Sequence, residues 1–156
     1  METLTRTTEQ RSASTTLANV FYATTFYSYG TAMMDYFLIY PSRAIVGERE
    51  FVAYHALLGD MIIPISVIPF FVLTVMNILL LRFRPSSVPK GLIWASLICL
   101  LIDWISTAFV QIPMNLQLNE GKDLPLIQRV METNWLRVFL ESAQAVLAFM
   151  MMQKSK

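Results

Sequence analysis

Four apolar stretches alternate with shorter polar segments along the chain, at about 17–40, 48–81, 91–113 and 133–152. Each is long enough for the roughly 20 residues that carry a helix across a bilayer. The pattern predicts an all-α fold, a four-transmembrane-helix bundle over 17–152, behind a polar flexible tail at 1–16. The tail carries mixed charge and has no signal-peptide core or cleavage pattern. Prolines punctuate the spans. Pro41 is expected to end the first, and Pro64 and Pro69 interrupt the second. Two geometries are open there: one kinked helix from about Gly47 to Leu81, or a short interfacial helix broken at Gly59, with Asp60 capping a fresh span. The continuous kinked helix is the preferred reading. Pro113 closes the third span, and the residues after it, punctuated by Gly121 and Pro125, read as the longest loop, with a short amphipathic turn over Leu126–Met131.

Each apolar stretch has a polar face. On the last, Asn134, Arg137, Glu141 and Gln144 fall within about a quarter-turn at 100° per residue, continued by Ala145 and Ala148. Trp135, Val138, Phe139, Val146 and Phe149 are left for lipid. An apolar residue contributes about −0.3 to −0.6 kcal/mol to insertion and a central charge opposes it by about 3 kcal/mol, so this helix balances one of its two charges and needs its neighbours for the other. The third stretch has Ser96, Cys99, Asp103, Ser106 and Thr107 on one stripe, extended toward Gln111. Asp103 sits near mid-membrane and must be either neutral or paired. On the first stretch, Tyr22, Tyr29, Tyr36 and Tyr40 share one face and Thr24, Ser28, Thr31 and Asp35 another. Small hydroxyl residues at that spacing allow close helix approach and hydrogen bonds across the seam.

Composition agrees with a membrane protein. The 156 residues are 55% hydrophobic and 15% charged, with mean hydropathy +0.51, where a soluble domain carries about a quarter charged residues. A net charge of +1 leaves no footprint for nucleic acid. The lone cysteine, Cys99, excludes an internal disulfide, a CxxC pair and a thiolate metal cage. One histidine, with no Glu-x-x-His pair, argues against a di-iron site and cannot give bis-histidine haem ligation. No metal and no cofactor are expected. Four spans put both termini on one side with Arg6, Arg11, Arg82, Arg84, Lys90, Lys154 and Lys156; Arg43, Arg49, Lys122 and Arg129 lie on the other. That bias predicts cytoplasmic termini. The polar residues then gather in the non-cytoplasmic half above an almost purely apolar inner half. Such a distribution describes an outward-facing pocket for a small lipophilic or aromatic molecule, closed below, and argues against a transporter.

Two readings of the polar constellation stand side by side. In the first, His55 is a general base near neutral pH, held by a carboxylate, and Arg137 steadies a developing anion, with Asp103 and Glu141 completing the catalytic set. Asn115, Asn134, Trp135, Gln111, Tyr54, Asp35 and Asp60 are then the ligand-binding candidates. In the second, the i,i+4 neighbours Arg137 and Glu141 pair along their helix and, with Asp103, form a structural network that fixes helix register. The chain would then be a non-catalytic binding or accessory subunit. Either reading leaves room for a homo-oligomer or a partner membrane subunit in the lipid bilayer.

The segment Thr107 to Leu118, T-x3-Q-I-P-M-N-x2-L, and Asn134-Trp135-x-Arg137 at the start of the last helix carry a resemblance. They resemble the anthrone-oxygenase-like family of small four-helix membrane proteins, in which a Val/Ile-Pro-x-Asn turn closes the third span and a Trp/Asn/Arg cluster opens the fourth. Glu50-Phe51-x2-Tyr54-His55 looks like the signature of a bacterial branch of that family, which implies a bacterial inner membrane. The resemblance further implies a cofactor-independent oxidoreductase that oxidises a tricyclic phenolic anthrone to its quinone with O2. Asn115, Asn134, Trp135 and Arg137 are the family-matching residues, and His55 is the only candidate histidine for the base.

Overall fold

A computed structural model describes residues 2–155, with side chains from Ser12 onward. Among the described residues the fold is all helix, arranged as four long rods. The first rod is α1 (Glu2–Met34), a π-helical turn (Asp35–Ile39) and α2 (Tyr40–Ile45). The second is α3 (Glu48–Ile62), a π turn (Ile63–Val67) and α4 (Ile68–Phe83). The third is α5 (Lys90–Ser106), a π turn (Thr107–Gln111), α6 (Ile112–Gln117) and a 3-10 turn (Leu118–Glu120). The fourth is α7 (Leu124–Thr133) and α8 (Trp135–Lys154). Three stretches are long and apolar enough to cross a membrane: Glu48–Phe83, Lys90–Glu120 and Leu124–Lys154. The first rod is diluted by its Tyr, Thr and Ser residues.

The rods outrun the sequence-based boundaries at several points, and proline chemistry explains most of the difference. Pro41, Pro69 and Pro113 each follow a π turn in which the preceding residue donates its N–H five positions back: Tyr40 to Asp35, Ile68 to Ile63 and Ile112 to Thr107. A proline ring clashes with the carbonyl four residues earlier, and the extra residue of a widened turn moves the two apart. Pro41 and Pro113 therefore do not end their helices. The second rod runs unbroken through Gly59, and the expected long loop after Pro113 shrinks to Gly121–Asp123. Asp123 caps α7 by accepting from Leu126 N at 3.0 Å. The expected flexible tail is helical from Glu2.

The rods form a square in chain order, with α1 packed on α4 and α8, and α5 on the same two. A leucine-rich core (Phe21, Leu73, Leu80, Ile93, Leu100, Met151) fills the half nearer the termini. A second core, with Tyr40, Phe51, Met114, Leu118, Ile127 and Val130, fills the other end, hereafter the chamber end. Of the residues expected to face outward on α8, Trp135, Phe139, Val146 and Phe149 are exposed, but Val138 is buried. The threonine hydroxyls of the expected seam do not bond across it. Thr24, Thr25 and Thr31 donate instead to their own helix, at Val20, Phe21 and Ser28 carbonyls. The cross-helix bond comes from Tyr27, whose hydroxyl donates at 2.9 Å to the Ile65 carbonyl, four residues before Pro69, which lacks an N–H to offer it.

The half nearer the termini is not purely apolar, as the sequence pattern implied. Asn77 Nδ2 and Gln144 Nε2 both donate to Ser96 Oγ, at 2.6 and 2.9 Å, in a knot that ties three rods together out of solvent. Gln144 and Ser96 read from the sequence as members of two separate polar stripes and Asn77 as one polar position on the second stretch, so only packing reveals that they meet.

Candidate functional site

Two of the three π turns, Ile63–Val67 and Thr107–Gln111, line a cavity of about 280 Å³ at the chamber end, and Tyr40, just after the first, completes that side. Asn115 organises its wall. Its side-chain nitrogen donates to the Gln111 carbonyl at 2.8 Å, its side-chain oxygen accepts from Arg43 Nη1 at 2.7 Å, and its own carbonyl meets His55 Nε2 at 3.0 Å. A carbonyl can only accept, so His55 carries its proton on Nε2 and its Nδ1 holds a free lone pair. The ring is stacked on Phe51, with centroids 5.7 Å apart and planes within 6°. His55 is thus oriented by a backbone carbonyl and an aromatic face, not by a carboxylate as the sequence reading supposed.

Arg43 is 4% exposed and lies over the Tyr40 ring, 4.8 Å from its centroid. Among the described residues no carboxylate lies within ion-pair distance of it. It reaches this position because the helix continues through Tyr40–Ile45 and packs on α7, and Lys122 Nζ donates to the Ala44 and Val46 carbonyls at 2.9 and 2.6 Å and pins its end. Neither Arg43 nor Tyr40 is among the sequence-based candidates. Arg43 reads there as one more loop cation, and its only signal is its place one helical turn past Tyr40 and about two past Asp35.

Arg137 stands at the back of the cavity. Its Nη1 is 3.5 Å from Asp35 Oδ2 and its Nε 4.0 Å from Asp103 Oδ2, so it joins the first and third rods through the fourth. The expected Arg137–Glu141 pair is absent: both Glu141 oxygens are buried with no hydrogen-bond partner among the described residues. Asp35 and Asp103, from two other rods, hold the Arg137 guanidinium instead.

Of the catalytic candidates, His55, Asp103 and Arg137 line the cavity, as do Gln111 and Asn115. The others lie elsewhere. Glu141 is sealed in the bundle below; Asn134 is fully buried with its amide unpaired; Trp135 is 53% exposed against Tyr36. Tyr54 shares a 2.6 Å hydrogen bond with Ser42, Asp35 acts through Arg137, and Asp60 is exposed on the far side of α3. Four buried polar atoms on cavity-lining residues have no partner: His55 Nδ1, Arg43 Nε, Gln111 Oε1 and Asp103 Oδ1. Native interiors pair nearly all such atoms, and their convergence on one mostly apolar cavity is the usual mark of a ligand site. Among the described residues no three His, Cys, Asp or Glu side chains come together as a metal-binding group. Set against family models, curated proteins and solved structures, the chain matches none.

Proposed function

We propose that this is a four-span integral membrane protein, with cytoplasmic termini, whose chamber binds and oxidises a small lipophilic aromatic molecule without a cofactor. One observation carries the reading. Asn115 holds both a histidine with a free Nδ1 lone pair and a buried arginine with no carboxylate in contact, on the wall of a cavity that is otherwise mostly apolar. A base and a cation set side by side suit removal of a weakly acidic proton from carbon or a phenol and stabilisation of the anion that results. For an anthrone, His55 Nδ1 takes a proton from the ring methylene and the carbanion reduces O2. The peroxide formed on that carbon loses water, leaving one oxygen as the new carbonyl. The Thr107–Leu118 and Asn134–Arg137 motifs support the anthrone-oxygenase-like assignment on sequence alone. Arg43 takes over the anion-stabilising role first given to Arg137, whose charge is already answered by Asp35 and Asp103.

The same two contacts favour a second reading for Arg137, as the tie that holds three rods together in a binding or accessory subunit without turnover. Oxygen uptake by protein reconstituted in nanodiscs, with 1,8-dihydroxyanthrone, separates the two. The enzyme reading expects one O2 consumed per anthrone and a loss of about 10²–10⁴-fold in His55→Ala with an unchanged melting temperature. Normal turnover in that variant removes His55 as the base, and no turnover in the wild type leaves the binding subunit.

A further inference from the structure

The cavity is walled unevenly. Arg43, His55, Gln111, Asn115 and Arg137 form its polar back, while Gly59, Val67, Ile112 and Leu116 line it and are also exposed on the bundle's exterior. These four belong to the second and third rods. The two rods touch below the cavity, where α4 packs on α5, and above it, where α3 packs on the Leu118–Glu120 turn. Between those levels each rod carries a π turn whose residues line the cavity. The exposed lining residues mark a side window, with the exposed Asn119 at its upper edge, in a wall whose exterior is studded with exposed Met61, Ile63, Ile105 and Phe109. A surface of that composition belongs against hydrocarbon, so the window faces lipid.

Gly59 marks its edge. A glycine inside a helix is about 1 kcal/mol less favourable than alanine, and a Cβ here would meet nothing within 4 Å. No close packing demands the missing side chain. Its absence widens the window.

We propose that the ligand is a single-headed, weakly acidic lipophile, a phenol on a small fused-ring body, that enters sideways from the bilayer between the second and third rods, acidic group first. This rests on reading the chamber as a ligand site and adds its route and ligand class. The buried guanidinium of Arg43 and the free lone pair of His55 answer one acidic group. A volume of about 280 Å³ sits at the small end of the roughly 300–1,000 Å³ usual for small-molecule pockets and leaves no room for a two-chain lipid.

The test uses full-length protein in nanodiscs, carrying Trp94→Phe and Trp135→Phe so that Trp104, which lines the chamber, reports alone. The probes are 2-naphthol and 2-methoxynaphthalene, alike in shape, only the first having an acidic proton. Saturable quenching by 2-naphthol is expected, with the methoxy compound about tenfold weaker and the difference lost in Arg43→Gln. Gly59→Phe and Leu116→Phe, on opposite lips, should each slow naphthol association about tenfold, and Ile98→Phe on the lipid face should not. Melting temperatures show which variants fold, and either lip variant suffices. Wild-type association in a folded lip variant overturns the route, and equal binding of the two probes overturns the acidic group. Naphthol binding without anthrone oxidation sinks the oxygenase reading and leaves the window. Anthrone oxidation at the wild-type rate in the lip variants sinks the window and leaves the oxygenase.

Discussion

The two halves of the bundle differ in what surrounds their buried polar groups. Toward the termini, Ser96 gathers the amide nitrogens of Asn77 and Gln144 inside a leucine core, where Asn77 Oδ1 alone of this knot's side-chain atoms is left without a partner among the described residues. At the chamber end, His55, Arg43, Gln111 and Asp103 each keep a polar atom unpaired beside an open volume. An unsatisfied polar atom in a low-dielectric interior costs about 1–3 kcal/mol; Asn134 and Glu141 carry four more away from the cavity, so it is the open volume shared by His55, Arg43, Gln111 and Asp103, and not the lack of partners alone, that marks the chamber. Paired polar groups hold rods in register; unpaired ones around a space await a ligand. The prolines sharpen the contrast, because the second and third π turns line the chamber, and widened turns recur at functional sites.

Substitutions can break this comparison, and the largest effect belongs to Arg137 at the back of the chamber. Arg137→Leu strands Asp35 and Asp103 and should destabilise the bundle by about 3–5 kcal/mol, read as a lowered melting temperature or loss of folded protein. Ser96→Ala removes the shared acceptor of two buried amides and should lower stability by about 1–3 kcal/mol, while naphthol binding stays at the wild-type level; a binding defect would mean the two halves are coupled. Tyr27→Phe uncaps the Ile65 carbonyl and should lower stability by about 0.6 kcal/mol in a thermal melt. Glu141→Gln should change least, within about 0.5 kcal/mol, because neither carboxylate oxygen holds a partner. A large loss there would restore the Arg137–Glu141 network inferred from their spacing.

Much of the architecture is legible in the sequence because a helix that crosses a membrane needs a set length of apolar residues, a length that three of the stretches meet. The polar face of α8 and the stripe through Asp103 follow from 100° per residue alone. What periodicity does not encode is which faces meet and where a chain turns back. Asp60 lies five residues from His55, so one continuous helix sends it to the opposite side, and it is exposed. Spacing suggests that Arg137 pairs with Glu141, but two carboxylates from other rods decide otherwise. Arg43 shows the limit most plainly. Its burial depends on a helical turn continuing past Pro41 and on Lys122, far along the chain, closing that turn.

The chain has one histidine, so ¹⁵N NMR of histidine-labelled, untagged protein in nanodiscs reads His55 alone. The account predicts a neutral ring protonated on Nε2, with the Nδ1 resonance moving as 2-naphthol is added and the Nε2 resonance holding. A ring protonated on Nδ1, or an Nδ1 resonance that does not move at saturating naphthol, would contradict it.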